Sequence, residues 1–119
     1  MSSWIVTAVA FLASSFGTTI AQEVTIGSKK FTESVVLGEL LVHLARDAGA
    51  SAVHRKELGG TRVLWGALLN GNIDAYVEYT GTMTQEIFAG QGIVTEGQIH
   101  ETLDLVGVAS TAPLGFNNT

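Results

Sequence analysis

The sequence contains no cysteine, a single proline, and no charged side chain among its first 22 residues. Without cysteine, the chain has no disulfide, no thiolate metal ligand and no cysteine beside a cleavage site to carry a lipid. Positive charge is also scarce, with six Lys and Arg against eleven Asp and Glu and a formal charge of -5. Nucleic-acid binding needs clustered Lys and Arg to neutralise phosphates, so this composition argues against a nucleic-acid partner.

The one apolar run near the start is short. Residues 5–16 are rich in Val, Ala, Phe and Leu, and small residues follow at positions 17–21. A run of this length is too short to span a bilayer as a stable helix. It predicts a secretory signal at residues 1–21, cleaved after Ala21, although no Lys or Arg precedes the run. The alternative is a buried N-terminal helix.

The remaining residues alternate between strand and helix patterns, and their number fits one domain. Strands are predicted at 24–28, 52–57 and 73–78, and an extended segment at 108–116. Helices are predicted from 32 to the closing Gly49, at 62–69, at 83–89 and at 96–105. This alternation predicts an α/β layer fold with a largely parallel sheet. The second strand is diluted by charged residues and is expected at a sheet edge, and Trp65 is expected to pack its helix against the sheet.

Three loops follow strands or precede helices in positions suited to ligand binding. Ligands of open α/β sheets bind beyond the carboxyl ends of the strands, against helix N-termini. Loops 28–30, 59–61 and 79–82 together would offer an ammonium group, free backbone amides, hydroxyls and one aromatic ring. Such groups suit a carboxylate with an apolar or cationic far end. Each loop also has an ordinary interpretation, as a turn or a solvated lysine pair, so the prediction depends on their convergence.

Two other candidate sites give weaker signals. Glu39 and His43 are one helical turn apart and could bind a metal, but such a pair on a polar helix face is usually solvated. Asp74 and Glu78 suggest a paired-carboxylate hydrolase, yet Asp74 follows Gly71-Asn72 and is better interpreted as a turn residue. No nucleophile elbow, phosphate loop or zinc spacing is present. The sequence therefore predicts no catalytic residue, no metal and no cofactor.

Four motifs occur in order along the chain: IGSKKFTE at 26–33, LGGT at 58–61, YVEYTGT at 76–82 and LGFNNT at 114–119. This series resembles the glycine betaine, carnitine and choline-binding proteins of osmoregulatory ABC importers. The resemblance runs from Val24 to the last residue. Lys30 is a mild departure, since the family usually has Asn or a similar residue there.

The resemblance implies a type II periplasmic-binding-protein-like fold with two lobes, of which residues 22–119 carry most of lobe 1. It implies that Lys29 meets the ligand carboxylate, that Thr82 donates a hydroxyl, and that Tyr79 forms one wall of an aromatic cage. Asn118 would lie in the crossover segment that lines the cleft. The implied protein is periplasmic and not an enzyme, and its partners are a small quaternary-ammonium ligand and an importer permease.

One tyrosine is too little for tight binding of a quaternary ammonium. Each cation–π contact contributes about 0.5–2 kcal/mol, whereas micromolar affinity needs about 8 kcal/mol. The family typically has another cage tyrosine directly after Asn-Asn-Thr, so the resemblance indicates a fragment of a longer protein that binds betaine weakly or not at all. Two alternatives stay open: a truncated lobe that only docks to a membrane partner, and a small exported hydrolase using Asp74 and Glu78.

Overall fold

The computed structural model describes residues 22–115. The predicted secretory signal at 1–21 and the predicted site residue Asn118 lie outside this range. The described elements are strands β1 (Glu23–Gly27) and β2 (Ser51–Arg55) and helices α1 (Thr32–Asp47), α2 (Thr61–Leu69), α3 (Thr80–Thr82) and α4 (Glu96–Leu105), with a π-helical segment (Met83–Ile87) continuing α3. No helix within this range is long and apolar enough to cross a membrane.

The sheet is parallel, as the alternation of strands and helices predicts. β1 pairs with β2 from Glu23 opposite Ser51 to Gly27 opposite Arg55. Within residues 22–115, β2 pairs only with β1, which agrees with its predicted edge position. Helix α1 connects the two strands and covers one face with a buried cluster of Ile26, Val42 and Ala52. The carboxyl ends of both strands therefore lie side by side, next to the loops that precede α1 and α2.

The predicted third strand at 73–78 is wrong in extent. Only Ala75 forms a bridge, to Ile26 of β1, with the Gly27 amide donating to the Ala75 carbonyl at 2.9 Å. β1 ends at Gly27, so the residues that follow Ala75 have no strand edge to pair with. The chain continues past Ala75 without strand pairing, and the Glu78 side chain lies in the interior, where it is 2% exposed.

Helix α1 approaches β2 closely at Gly38. A Cβ built at this position would lie 2.5 Å from Nε2 of His54, whose ring belongs to β2. The His54 side chain is only 4% exposed and is hydrogen-bonded at both nitrogens, so the ring has little freedom to move away. Glycine at position 38 is what permits this spacing between helix and sheet.

Replacing Gly38 with alanine should lower the free energy of unfolding by about 1–3 kcal/mol, because the added methyl overpacks the contact with His54. The matched control is Gly66→Ala in helix α2, where an added Cβ meets no atom within 4 Å. That control should leave stability unchanged or raise it by up to about 1 kcal/mol, the usual helix preference for alanine. Urea unfolding followed by circular dichroism measures both, and equal effects of the two variants would contradict the close packing at Gly38.

A second core forms around the π-helical segment and α4. Its buried residues are Ile87, Phe88, Ile99 and Leu103. Trp65 of α2 packs against this cluster, with its ring edge-on to Phe88 at a centroid distance of 5.8 Å and an angle of 87°. The expectation that Trp65 packs against the sheet is therefore wrong. The predicted helix at 96–105 is confirmed, and a capping box between Thr95 and Gln98 begins it.

Candidate functional site

The three loops identified from the sequence meet around one cavity of about 320 Å³. The Lys30 amide donates to the Gly59 carbonyl at 3.1 Å, which joins the first loop to the second. The third loop is joined to the first by the Lys29–Glu78 ion pair. The cavity is lined by Lys29, Lys30, Phe31, Gly59, Gly60, Thr61, Tyr79, Thr82 and Glu86. Three of the four predicted site residues, Lys29, Tyr79 and Thr82, thus line the same cavity.

Lys29 is held from several sides. Its backbone amide donates to Ser34 Oγ at 2.8 Å at the start of α1. Its ammonium Nζ donates to Glu78 Oε1 at 2.5 Å and to Thr61 Oγ1 at 3.0 Å. The side chains of Lys29 and Glu78 are only 6% and 2% exposed. Because an ammonium group has three N–H donors, one donor of Lys29 is left for a further acceptor.

A partly buried hydrogen-bond network lies beside Lys29, at the preceding residue Ser28. Ser28 Oγ and His54 Nε2 are 2.9 Å apart, and His54 Nδ1 lies 2.8 Å from Glu39 Oε2. The hydrogen bond from His54 lowers the pKa of Glu39 below its ordinary value, and the nearby Lys56 adds to this effect. The network ties α1 to β2 and fixes the residue directly before Lys29. Sequence spacing gave His54 no partner, since both of its contacts come from other elements.

Gly59 shapes the second loop. Its φ of 152° lies in a region that side chains rarely adopt, and a Cβ there would lie 2.9 Å from Val63 Cγ2. Glycine is therefore required at this turn, which brings the N-terminus of α2 and its free amides to the cavity.

Tyr79 is anchored through its hydroxyl, which donates to Glu33 Oε1 on the first turn of α1. Partial burial, then the hydrogen bond and charge of Glu33, raise the pKa of Tyr79 to about 12. Burial also raises the pKa of Tyr76 well above its ordinary value, with the Glu78 carboxylate as a second cause. Both phenols are therefore neutral at physiological pH, and Tyr79 is oriented by a carboxylate.

The raised pKa values predict that neither tyrosine ionises near pH 10. The chain contains only two tyrosines, so the tyrosinate absorbance near 295 nm reports on both. At pH 11 about a tenth of Tyr79 should be ionised in the folded protein, against roughly nine-tenths for a tyrosine with the ordinary pKa near 10. Circular dichroism shows whether the fold persists, and the same titration in guanidinium chloride is the control. A folded-state midpoint near pH 10 would contradict the contact between Tyr79 and Glu33.

The structure also describes the residues of the two weaker candidate sites. Asp74 Oδ2 accepts the Thr25 amide at 2.7 Å, whereas Glu78 is paired with Lys29. The two carboxylates thus have separate partners, and neither is paired with the other. Glu39 and His43 come within 3.8 Å, and within residues 22–115 no group of three acidic or histidine side chains is placed to hold a metal ion.

Sequence reasoning missed Phe31 as a residue of this cavity. It follows Lys29-Lys30 directly, is 38% exposed, and lines the cavity that Tyr79 also lines. Its position beside the lysine pair was a usable signal, although a phenylalanine at the start of a helix is more often interpreted as core. Glu86, which lies on the π-helical segment, was also missed.

Comparison with known proteins defines the class. Residues 22–119 match the family described as the substrate-binding domain of the ABC-type glycine betaine transport system, and the chain belongs to that family. The glycine betaine-binding protein YehZ of Escherichia coli (strain K12) is 36% identical over 78 residues, which cover 66% of this chain and 26% of YehZ. A solved structure of apo YehZ from Escherichia coli matches with a TM-score of 0.58 and 30% identity, over 72% of this chain and 31% of that chain.

These matches confirm the family resemblance and the α/β fold predicted from the sequence. The chain spans about a third or less of the length of these relatives. The family is one of substrate-binding transport proteins, which agrees with the prediction of a binding function.

Proposed function

We propose that this protein captures a quaternary-ammonium osmoprotectant, either glycine betaine, choline or carnitine, and delivers it to the permease of an ABC importer. The observation that carries this proposal is the shared cavity of Lys29, Tyr79 and Thr82. The family match supports the transport role. Export through the signal at 1–21 and residence in the periplasm complete the proposal.

The groups around the cavity suit the two ends of a betaine. The remaining N–H donor of Lys29 and the hydroxyl of Thr82 would hold the carboxylate, and free amides at the start of α2 add positive potential. A trimethylammonium group has no N–H to donate, so it is held by aromatic faces and by charge. Tyr79 and Phe31 are the two aromatic residues that line the cavity within the described range. Asn118 would add a contact from the crossover segment.

Two rings still supply only part of the affinity. Each cation–π contact contributes about 0.5–2 kcal/mol, and micromolar affinity needs a binding free energy of roughly 8 kcal/mol. The two rings therefore supply too little on their own. The proposal therefore assigns further contacts to sequence beyond the described residues. The test should use protein expressed from the complete gene.

Isothermal titration calorimetry with glycine betaine, choline and carnitine tests this proposal. Saturable binding of at least one of them is expected, and glycine is the matched control because it differs from glycine betaine only in its three methyl groups. Glycine should bind more weakly, since its ammonium group loses water without gaining an acceptor from the rings. Absence of binding to all three methylated ligands would contradict the proposal.

A further inference from the structure

The carboxylate of Glu78 holds two residues of the candidate site at once. Its Oε1 atom accepts from Lys29 Nζ at 2.5 Å and from the backbone amide of Tyr79 at 3.1 Å. Glu78 itself is not among the described residues that line the 320 Å³ cavity; it lines a neighbouring, mostly apolar cavity of about 290 Å³. Any effect of Glu78 on a ligand therefore acts through Lys29, Tyr79 and the charge that it places behind them.

Stability alone does not account for this arrangement. The other carboxylate oxygen, Oε2, is buried and makes no hydrogen bond of ordinary geometry among the described residues, although the Tyr76 phenol is near enough to Glu78 for the carboxylate to raise the pKa of the phenol. Buried polar atoms without a partner are uncommon because they lose hydration without compensation. Buried ion pairs, moreover, are often no more stable than apolar residues of the same size. A buried carboxylate with one unpaired oxygen is better explained by what it does to Lys29.

The Lys29–Glu78 pair has a different net charge from that of a lysine alone. A lone buried ammonium would attract any anion and repel any cation, whereas Lys29 beside Glu78 presents a dipole with almost no net charge. Two of the three lysine donors are already used, by Glu78 and Thr61. A ligand carboxylate can then accept from the third donor, while the cationic end of the same ligand is not repelled from the cavity.

We propose that Glu78 is a positioning residue that makes the site selective for zwitterions over plain anions, by orienting Lys29 and cancelling its charge at the cationic end of the ligand. This inference rests on the proposed function and goes beyond it, because it assigns the selectivity to a residue outside the cavity wall. Glu33 and Glu86 also carry negative charge near the cavity, but of these three carboxylates only Glu78 is hydrogen-bonded to the Lys29 ammonium among the described residues.

Three ligands of similar size separate the charge effects. Glycine betaine is the zwitterion, 3,3-dimethylbutanoate replaces its quaternary nitrogen with carbon and is an anion, and choline replaces its carboxylate with a hydroxymethyl group and is a cation. Calorimetric titration of protein from the complete gene gives the three Kd values. We expect Glu78→Gln to raise the ratio of the betaine Kd to the dimethylbutanoate Kd by about fivefold or more, since the uncancelled ammonium repels the cationic end. Choline binding should weaken in the same variant.

A purely structural role for Glu78 predicts a different result. All three affinities would then fall by a common factor, the ratio would stay constant, and the inference would be overturned while the proposed function survived. Wild-type protein that binds none of these three ligands, nor carnitine, would overturn the proposed function and this inference with it. The control is Glu101→Gln on the exposed side of α4, which removes the same charge far from the cavity and should leave the ratio unchanged.

Loss of folding in Glu78→Gln would be detected by circular dichroism, and Glu78→Asp then provides the test. The shorter carboxylate keeps its charge but withdraws from Lys29 by one methylene group. A smaller shift of the ratio in the same direction is expected, and an unchanged ratio would count against the inference.

Discussion

Replacing Lys29 with methionine should lower the free energy of unfolding by about 3–5 kcal/mol, the usual effect of removing one partner from a buried ion pair. The reason is the carboxylate left behind. Glu78 is 2% exposed, and its Oε1 atom would lose the ammonium that lies 2.5 Å away. The loss should be measured by urea unfolding at neutral pH. Betaine binding should be lost as well, because Lys29 is the proposed carboxylate donor.

The double variant Lys29→Met, Glu78→Gln should recover most of this stability. Methionine fills the volume of the lysine stem, and glutamine keeps an acceptor for the Tyr79 amide while removing the unpaired charge. The exposed neighbour gives the matched control: Lys30→Met should change stability by less than about 0.5 kcal/mol. A single Lys29→Met variant as stable as the wild type would show that the pair is not formed in the folded protein.

Restored stability without restored binding would separate the two roles of the pair. Under the proposed function, the fold needs Glu78 only because Lys29 is present, whereas the ligand would need Lys29 itself. A buried ion pair is weak evidence for stabilisation, since apolar residues often replace it without loss. Its presence at the cavity is therefore better explained by ligand binding than by folding.

Local pattern was sufficient to predict most of the secondary structure. The β-branched run of β1, the three- and four-residue apolar spacing of α1 and the glycine turns after the helices are all short-range signals. These signals predicted that α1 ends near Gly49, whose φ is 93°. The third strand failed because strand pairing is not local. Residues after Ala75 have a strand-like pattern, but β1 ends at Gly27 and offers them no edge.

The candidate site was predictable in its loops but not in its contacts. A parallel sheet brings strand ends together, so the convergence of Lys29, Tyr79 and Thr82 followed from the fold class and the resemblance. The Lys29–Glu78 pair joins residues 49 positions apart and depends on the path of the unpaired segment after Ala75. The strand predicted at 73–78 instead placed Glu78 and Asp74 on one element and suggested that they form a pair. No sequence pattern distinguishes a buried acceptor of this kind from a surface glutamate.

The aromatic ring of Tyr79 leads to the second large prediction. If it contacts a quaternary ammonium, Tyr79→Ala should weaken glycine betaine binding by up to about 30-fold, which corresponds to roughly 2 kcal/mol for one desolvated cation–π contact. Calorimetry with protein from the complete gene measures the change. Choline should lose affinity by a similar factor, because the two ligands share the trimethylammonium group. 3,3-Dimethylbutanoate should lose much less, since its quaternary carbon carries no charge.

Tyr79→Phe separates the ring from its hydroxyl. This variant keeps the aromatic face and removes only the hydrogen bond to Glu33, so it should lose much less betaine affinity than Tyr79→Ala does. An equal loss in the Ala and Phe variants would mean that the hydroxyl, and not the ring, carries the effect, and the cation–π assignment would then be wrong. Tyr76→Phe is the matched control, because Tyr76 lines the neighbouring apolar cavity and not the one that holds Lys29. Retained affinity in the Phe variants of both tyrosines, together with loss in Tyr79→Ala, is the pattern that an aromatic cage requires.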